Sequence, residues 1–503
     1  MKVEDNTKKL LKTLSKGDIL VSVLVFSAIA VTAIISLVNW GAILLKQIRT
    51  VQVREQAFQI AEAGVDYYRW HLAQSPNDYK DGTTTPGPYY HKFYDKDGKQ
   101  IGSYSLTIVP PPVGSTKVTI TSTASTTSNP DIIKIIQVIL AQPSLAQYAV
   151  VANDQMVFGS GTIVNGPIIS NRGIHFDGIA HNVISSALAT DTNPDNLSHV
   201  EWGVWTEASP ADPTPPAAAN NHNSDIFLAG RQYPVQAFPF GSLTVNLNTL
   251  QTLSLTGGVC SPPNCWTPSG KAGYHIILKN NNTYDIYRVK TKMTSPNNCK
   301  PTTVPDRWDP WTVSSQDDPL PPNNANMSRN YAIPSNGVIF VADDVWVDGT
   351  VNNTRVTIVA ADVGQTDPTR YRNITINNDL LYTNFNGNDV VGLIAQGDVN
   401  VGLQSDDNLE INAALVAENG RVGRFYYSNS CSSTYYKRTN ITLNGMIATN
   451  IRYGFKWGDL NNNWVGGYNT RNINFDGNLF YSPPPSFPLS STQYQMISWR
   501  QLQ

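Results

Sequence analysis

An uncharged apolar run near the N-terminus constrains the fold of this chain more than any other feature. Residues 19–38 contain no charged side chain, and their only polar members are serines and a threonine. About 20 such residues are enough to cross the ~30 Å hydrocarbon core of a bilayer as a helix. The sequence therefore predicts a transmembrane helix here.

The residues after this run predict that the same helix continues into water. Apolar side chains recur at spacings of three, four or seven along an otherwise polar stretch, as an amphipathic helix requires. These side chains are Leu44, Ile48, Val51, Phe58, Ala61, Val65, Tyr68 and Leu72. Pro76 is the first residue that would stop the helix. One membrane-spanning and extended helix is thus predicted over 18–74, after a basic leader over 1–17.

The segment from Ala57 to Asp66, with the sequence AFQIAEAGVD, resembles the N-terminal helix of the type IV pilin superfamily. It is most similar to that of PilX-type minor pilins, closely over residues 1–75 and loosely over the next seventy. The resemblance implies a leader that a prepilin peptidase removes between Gly17 and Asp18. It also implies that the helix bundles with those of other pilin-like subunits in a filament.

Several residues on this helix are predicted to serve assembly. Three of them are small and permit close approach of a neighbouring helix or sheet. The full set is Ser22, Ala57, Phe58, Ala61, Glu62 and Gly64. Two positions depart from the family pattern: Asp18 stands where an apolar residue is usual, and Ser22 stands where major pilins carry glutamate. The second departure is typical of some minor pilins thought to sit at filament tips.

Charge around the apolar run predicts its orientation. Five lysines precede the run, whereas the basic residues just past it are Lys46, Arg49 and Arg54. The positive-inside rule places the N-terminus in the cytoplasm and the body outside, at the cell surface or on a pilus. An uncleaved anchor shares this topology, so a stand-alone membrane-anchored adhesin that never enters a filament is the first alternative.

The chain after the helix predicts an α+β to mainly β architecture. Residues 75–142 predict a small pilin-like headpiece, because polar and apolar residues alternate over 103–109, 117–122 and 133–140. Such alternation is typical of half-buried strands, and three of them would form a meander. Packing the helix on this sheet would bury the stripe that contains Val65.

A different pattern begins after Pro143. Short apolar runs alternate with Asn-Gly, Asp-Gly and other glycine-containing corners in the recurrent unit apolar-x-apolar-x-Gly-x-apolar. This predicts a large β-solenoid, similar to a right-handed β-helix, with stacked asparagines at its corners. Its first block is expected over 143–187 and its second over 333–482, with a C-terminal tail over 483–503. A sandwich of stacked hairpins is the structural alternative.

Residues 188–332 are expected to form a loop-rich insertion that contains proline, tryptophan and cysteine. A long irregular insertion that is ordered is a natural place for a ligand surface. The chain has four cysteines: Cys260, Cys265, Cys299 and Cys431. In an extracytoplasmic protein an even number favours disulfides. Cys260 with Cys265 is the preferred pair and leaves Cys299 with Cys431, although the other pairings and free thiols remain open.

Motifs for catalysis are absent from the sequence. It has no nucleophile elbow, zinc-binding histidine pair, phosphate loop or dinucleotide fingerprint. His175 and His181 flank Asp177, but histidines on a solenoid face are expected as surface decoration. No catalytic, cofactor-binding or metal residue is therefore predicted, and a non-enzymatic structural or adhesive role is favoured over a β-helical polysaccharide-processing enzyme.

Composition narrows the classes of partner that the chain is expected to bind. Charged residues make up only 15% of the chain and the formal net charge is −2, so the sequence carries no nucleic-acid footprint. The partners that remain are the membrane, other pilin-like subunits, and a surface glycan or protein ligand.

Overall fold

The computed structural model of this chain describes residues 16–243, 247–296, 299, 309–317, 330–428, 431, 433–458 and 463–502. They fall into two compact units. The first unit contains 16–109, 119–140 and 496–502, and the second contains 110–118 and 141–495. The leader residues 1–15 lie outside the described residues.

Helix α1 spans Lys16–Gln74 and confirms the predicted continuous helix. Its 59 residues extend over ~90 Å at 1.5 Å per residue. Among the described residues it is the one helix long and apolar enough to cross a membrane. Hydroxyl groups within the apolar run donate to carbonyls one turn back, from Thr32 to Ala28 and from Ser36 to Thr32. These bonds satisfy the hydroxyls inside the helix itself, which suits an apolar surrounding.

The second half of α1 packs against an antiparallel sheet. This sheet contains β1 (Tyr89–Tyr94), β2 (Gln100–Val109), β3 (Val118–Thr126) and β4 (Ile133–Ala141), in that order. β2 is antiparallel to both β1 and β3. A fifth strand, Gln495–Gln501, adds to the sheet beside β4. The expected meander is therefore extended by a strand from each side: β1, and a strand from the segment expected as a C-terminal tail.

The second unit is built mainly from short strands. The strands before its helices are β5 Val150–Ala152, β6 Met156–Phe158, β7 Thr162–Asn165, β8 Ile168–Ser170, β9 Ile174–Phe176, β10 Ile179–Ala180, β11 Ile184–Ser186, β12 Thr190–Thr192, β13 Val200–Trp202, β14 Val204–Trp205 and β15 Arg231–Gln232. The helices are α2 Phe240–Leu243, α3 Leu247–Ser254 and α4 Ser433–Tyr436, and two 3-10 turns cover Pro368–Arg370 and Gly477–Phe480.

The remaining strands run from the cysteine-containing region to the C-terminus. They are β16 Cys265–Trp266, β17 Gly273–Leu278, β18 Thr283–Lys292, β19 Val313–Gln316, β20 Tyr331–Ala332, β21 Val338–Val341, β22 Val345–Val351, β23 Arg355–Ala360, β24 Ile374–Tyr382, β25 Val390–Ala395, β26 Val399–Val401, β27 Asn408–Ala417, β28 Val422–Arg424, β29 Lys437–Thr449, β30 Lys456–Gly458, β31 Trp464–Phe475 and β32 Gln495–Gln501.

Most of these strands pair in parallel with a strand that comes two or three elements later, and not with the next one. One parallel ladder runs β16-β21-β23-β25-β27-β29-β5-β8-β11-β15. A second runs β17-β22-β24-β26-β28. A third ladder joins the earlier parts of β27 and β29, which the first ladder leaves unused, with β31, β7 and β10. β6, β9 and β14 form a separate parallel sheet.

The order of stacking differs from the order along the chain. β5 pairs with β29, so the first strands of the unit lie beside its last strands. The stretch 188–332, expected as a loop-rich insertion, supplies strands at both ends of the first ladder: β15 at one end and β16 at the other. These strands are only two residues long, which is too short for a period-2 pattern to show in the sequence.

Valine, isoleucine and leucine side chains fill the space between the ladders. All six residues of β25, for example, are buried. Asparagine side chains stack along the strands, each amide donating to the next carbonyl oxygen. One such row joins Asn165, Asn474, Asn444 and Asn412 with N–O distances of 2.7, 2.8 and 2.7 Å. This row pairs the side-chain amides from exposed Asn165 to buried Asn412 and accounts for asparagine at these positions without a catalytic role.

Candidate functional site

The residues predicted for assembly occupy two different environments on α1. Ala57, Ala61 and Gly64 are buried against the chain's own sheet. A Cβ atom added at Gly64 would lie 2.5 Å from the Ser122 hydroxyl and 2.8 Å from the Tyr104 ring. The small residues therefore let the sheet approach the helix closely.

The other assembly residues are more accessible. Ser22 is exposed in the apolar half of α1, and Glu62 is half-buried in the second half. Phe58 is also half-buried and meets the ring of Trp499 edge-on at 6.1 Å, so the C-terminal strand covers it. Gly17 and Asp18 lie in the first turn of α1, which begins at Lys16.

The cysteines form two disulfides in the structure. Cys260 is bonded to Cys265, five residues away, and Cys299 to Cys431, across a separation of 132 residues. These are the pairs that the sequence favoured. Cys299 and Cys431 pack in a buried cluster with Trp346, so the second disulfide joins the expected insertion to the strands of the later block.

The second unit contains a cleft of about 1330 Å³ at a break in parallel pairing. The second ladder continues from β28 only through an isolated bridge between Gly423 and Gly454. Among the described residues no strand pairs with the far side of Gly454, and β6 forms the edge of its separate sheet. The cleft lies between these two edges. Its charged and aromatic lining comprises Asp154, His175, Asp195, His199, Glu201, Glu207, Arg421, Arg452, Tyr453, Phe455, Lys456, Trp457 and Arg471.

One side of the cleft is basic, and we call Arg421, Lys456 and Arg471 the basic wall. Lys456 Nζ donates to the Ser160 carbonyl at 2.8 Å, and both terminal nitrogens of Arg471 donate to the same oxygen at 3.2 Å. Within the described part of the chain, no carboxylate lies within ion-pair distance of these three cations. Burial, with the charge of Arg471 as a second cause, lowers the pKa of Lys456 to about 8.

The third cation of the basic wall is held by aromatic rings. The Arg421 guanidinium lies 4.3 Å from the centre of the Phe425 ring and 5.5 Å from that of Trp457. Burial lowers the pKa of Arg421. Its Nη2 atom and the neighbouring Tyr453 hydroxyl are buried without a hydrogen-bond partner among the described residues.

Carboxylates also line the cleft, and we call Asp154, Glu201 and Glu207, together with His175, the acidic wall. His175 is buried against the Trp205 ring, parallel to it at 5.4 Å, and its Nε2 lies 3.0 Å from Asp177 and 4.0 Å from Glu207. Burial alone would lower the pKa of His175, but the two carboxylates outweigh it and raise that pKa. Cationic and carboxylate side chains thus both line the cleft.

Asp177 fixes the position of this histidine. Its Oδ1 accepts hydrogen bonds from the Thr206 hydroxyl at 2.8 Å and the Glu207 amide at 2.9 Å. Burial acts to raise the pKa of Asp177, but these bonds and His175 lower it to about 2. His175 was expected to be surface decoration, and that expectation is wrong, because the side chain is enclosed by Trp205 and its ion pair. His181 is exposed, as expected.

Sequence reasoning missed this cleft. The one local signal was His175 with Asp177, since residues two apart on a strand share a face. The basic wall has no such signal, because Arg421, Lys456 and Arg471 come from three separate elements. Among the described residues, no group of three or more histidine, cysteine or carboxylate side chains could hold a metal ion.

Comparisons with known proteins give a likeness in structure. No family model matches the chain, and no curated protein is similar to it in sequence. Among solved structures it is similar to the competence-associated pilin ComZ from Thermus thermophilus, with 14% identity and a TM-score of 0.30 over 90% of this chain and 98% of that one. A likeness at that score carries no argument about fold or function.

Proposed function

We propose that the chain is a membrane-anchored, pilin-like subunit of a surface filament whose body binds or displays and does not catalyse. The observation that carries this proposal is α1. A plain anchor needs only ~20 apolar residues, whereas α1 continues without a break to 59 residues. Its apolar half is exposed along its length, and its second half is seated on a sheet through small residues.

The proposal divides the helix residues by role. Ala57, Ala61 and Gly64 seat the helix on its own sheet. Ser22 lies on the exposed apolar half and is assigned to contacts with sister helices or lipid. Glu62 is half-buried on the second half and remains accessible to a neighbouring subunit. Processing between Gly17 and Asp18 would leave Asp18 as the first residue of the assembled subunit.

For the body we propose a β-solenoid of the right-handed β-helix type. The parallel ladders support it, because the strands within them pair with a strand that follows about one turn later and not with the next strand in the sequence. Rows of stacked asparagines are a second support. A rigid body of this kind outside the cell is suited to adhesion to a glycan or protein, and it requires no cofactor.

The location and processing of the chain in its native cell test this proposal. Cells are sheared, and the released filaments and the membranes are probed separately for the chain. We expect the chain in both fractions, with Asp18 at its N-terminus. A Gly17→Leu variant should stay unprocessed and be lost from the filaments, whereas a Gly41→Leu variant, in open space on the same helix, should be processed normally.

Two results would count against the proposal. An intact Met1 together with exclusive recovery in membranes would favour a stand-alone anchored adhesin. Normal filament incorporation of the unprocessed Gly17→Leu chain would separate assembly from processing and refute the assigned junction.

A further inference from the structure

The cleft of the second unit has the size of a site for a chain-like ligand. Its volume of about 1330 Å³ exceeds the ~300–1,000 Å³ of typical small-molecule pockets. It also arises where parallel pairing stops, so that the space a further strand would fill is left open between Gly454 and β6.

The basic wall carries charge that the structure does not balance. Lys456 and Arg471 converge on one oxygen, the Ser160 carbonyl, at 2.8 and 3.2 Å. Two like charges held this close repel each other, and burial weakens the screening by water. Burial, and second the charge of Arg471, lower the pKa of Lys456. An anion in the cleft would stabilise both cations.

Lys456 is not needed to hold this loop in place. Arg471 already donates to the carbonyls of Gly159, Ser160 and Asn469 and to the Thr162 hydroxyl. Lys456 adds one bond to an oxygen that is already bonded. Its main effect is to place a second, half-buried positive charge at the wall of the cleft. This distinguishes Lys456 from a cation that only fastens the fold.

Other groups in the cleft suit a ligand rich in hydroxyls. Carboxylates of Asp154, Glu201 and Glu207 can accept hydrogen bonds from hydroxyl donors. The Trp457 ring is half-buried beside Arg421 of the basic wall and offers a flat apolar surface.

We propose that this cleft binds an acidic oligosaccharide. A sugar carboxylate would pair with Lys456, beside Arg471, and sugar hydroxyls would bond to the acidic wall. The acidic wall fixes the orientation, because its carboxylates repel the acidic group. The inference rests on the proposed role of the body as a binding surface and names its ligand class.

Calorimetric titration of the full chain in detergent with oligogalacturonate tests the inference. Neutral oligogalactan of the same length and inorganic phosphate are titrated in parallel. Lys456→Gln should weaken binding of the acidic oligomer about tenfold or more, because a charged hydrogen bond is lost. Arg452→Gln is the matched control. Its charge already faces Asp195 at 3.3 Å, so we expect a change within about twofold.

The unfolding midpoint of Lys456→Gln separates binding from folding. Arg471 already donates to the Ser160 carbonyl, so this midpoint should change little while binding weakens. Equal binding of the neutral oligomer, equal effects of the Lys456 and Arg452 variants, or no binding of the acidic oligomer at about 1 mM would overturn the inference. Phosphate binding as tight as that of the oligomer would also overturn it, since the site would then recognise a simple anion.

Failure of the cleft assignment can be distinguished from failure of the proposed function. A chain that is recovered in filaments but binds no acidic oligomer refutes only the cleft assignment. A chain that binds the oligomer but never leaves the membrane refutes the filament role and leaves the cleft assignment in place.

Discussion

Glu418 gives a pH-dependent stability that can be worked out from its surroundings. The residue follows β27, its side chain is 5% exposed, and its Oε1 has no hydrogen-bond partner among the described residues. Burial raises its pKa to about 8. An unfolded glutamate titrates near ~4.3. The folded chain therefore holds a proton that the unfolded chain releases between these two pH values.

The direction of the pH dependence of stability follows from this difference in the pKa of Glu418. For a group whose folded pKa is raised, stability is fully present below the unfolded pKa and is lost as pH rises towards the folded pKa. The loss is about 1.4 kcal/mol per pH unit, so a pKa of about 8 implies about 3 kcal/mol between pH ~4.5 and pH ~7. Glu418→Gln mimics the protonated acid and removes this loss. The neighbouring strand already has Gln396 at the equivalent position, one residue after the pair Ala395–Ala417.

Urea unfolding of the full chain in detergent at several pH values measures the effect. The variant and the parent should have similar midpoints near pH 4, and the variant should become more stable by about 3 kcal/mol near pH 7. Glu410→Gln is the control, because Glu410 lies on the same strand and its carboxylate accepts bonds from Asn412 and Asn444. A difference between Glu418→Gln and the parent that stays constant from pH 4 to pH 8 would refute the reasoning.

Three further predictions concern packing and cross-links. Gly64→Ala should destabilise the first unit by about 1–3 kcal/mol through overpacking, although alanine normally favours a helix. Gly41→Ala should not destabilise it, because a Cβ atom added at Gly41 has nothing within 4 Å. The unfolding midpoints of both variants test this prediction. Removing the Cys299–Cys431 disulfide should lower the free energy of unfolding by up to about 5 kcal/mol, because this disulfide closes a loop of 132 residues. The loss should exceed that from removing Cys260–Cys265, which are five residues apart. Unfolding midpoints measured without reductant test this prediction, and equal losses would contradict it. Asn444→Leu should cost about 1–3 kcal/mol because two stacked amides lose their partner; faster amide exchange confined to the neighbouring strands is the expected readout.

Local patterns in the sequence were enough for the helix and much of the first sheet. The apolar run and Pro76 defined α1, which ends at Gln74. Alternation of polar and apolar residues identified the strands around 103–109 and 133–140. The strand Gln495–Gln501 was missed, since its partner β4 lies more than 350 residues earlier and nothing in a short window indicates that pairing.

The cleft could not be predicted for a related reason. Its walls join residues from 154 to 471, and they meet only because β5 and β7 stack beside β29 and β31. The corner pattern predicts that strands will stack, but each corner is compatible with many neighbours. Which strand lies next to which is determined by the packing of the whole unit, so residues that meet across a break in the ladder carry no joint signal.

Comparison of Arg424 with Lys456 shows that ligand binding in the cleft, and not the stability of the fold, explains the position of Lys456. Arg424 is fully buried, and its guanidinium donates to the carbonyls of Leu403 and Tyr436, so it ties two segments together. Replacing it would remove hydrogen bonds to the carbonyls of Gly402, Leu403, Tyr435 and Tyr436, so Arg424 has a structural role. Lys456 shares its acceptor with Arg471 and fastens nothing that Arg471 does not already hold. In a chain with only 15% charged residues, a cation placed against another cation at the wall of an open cleft is best explained by an anionic ligand.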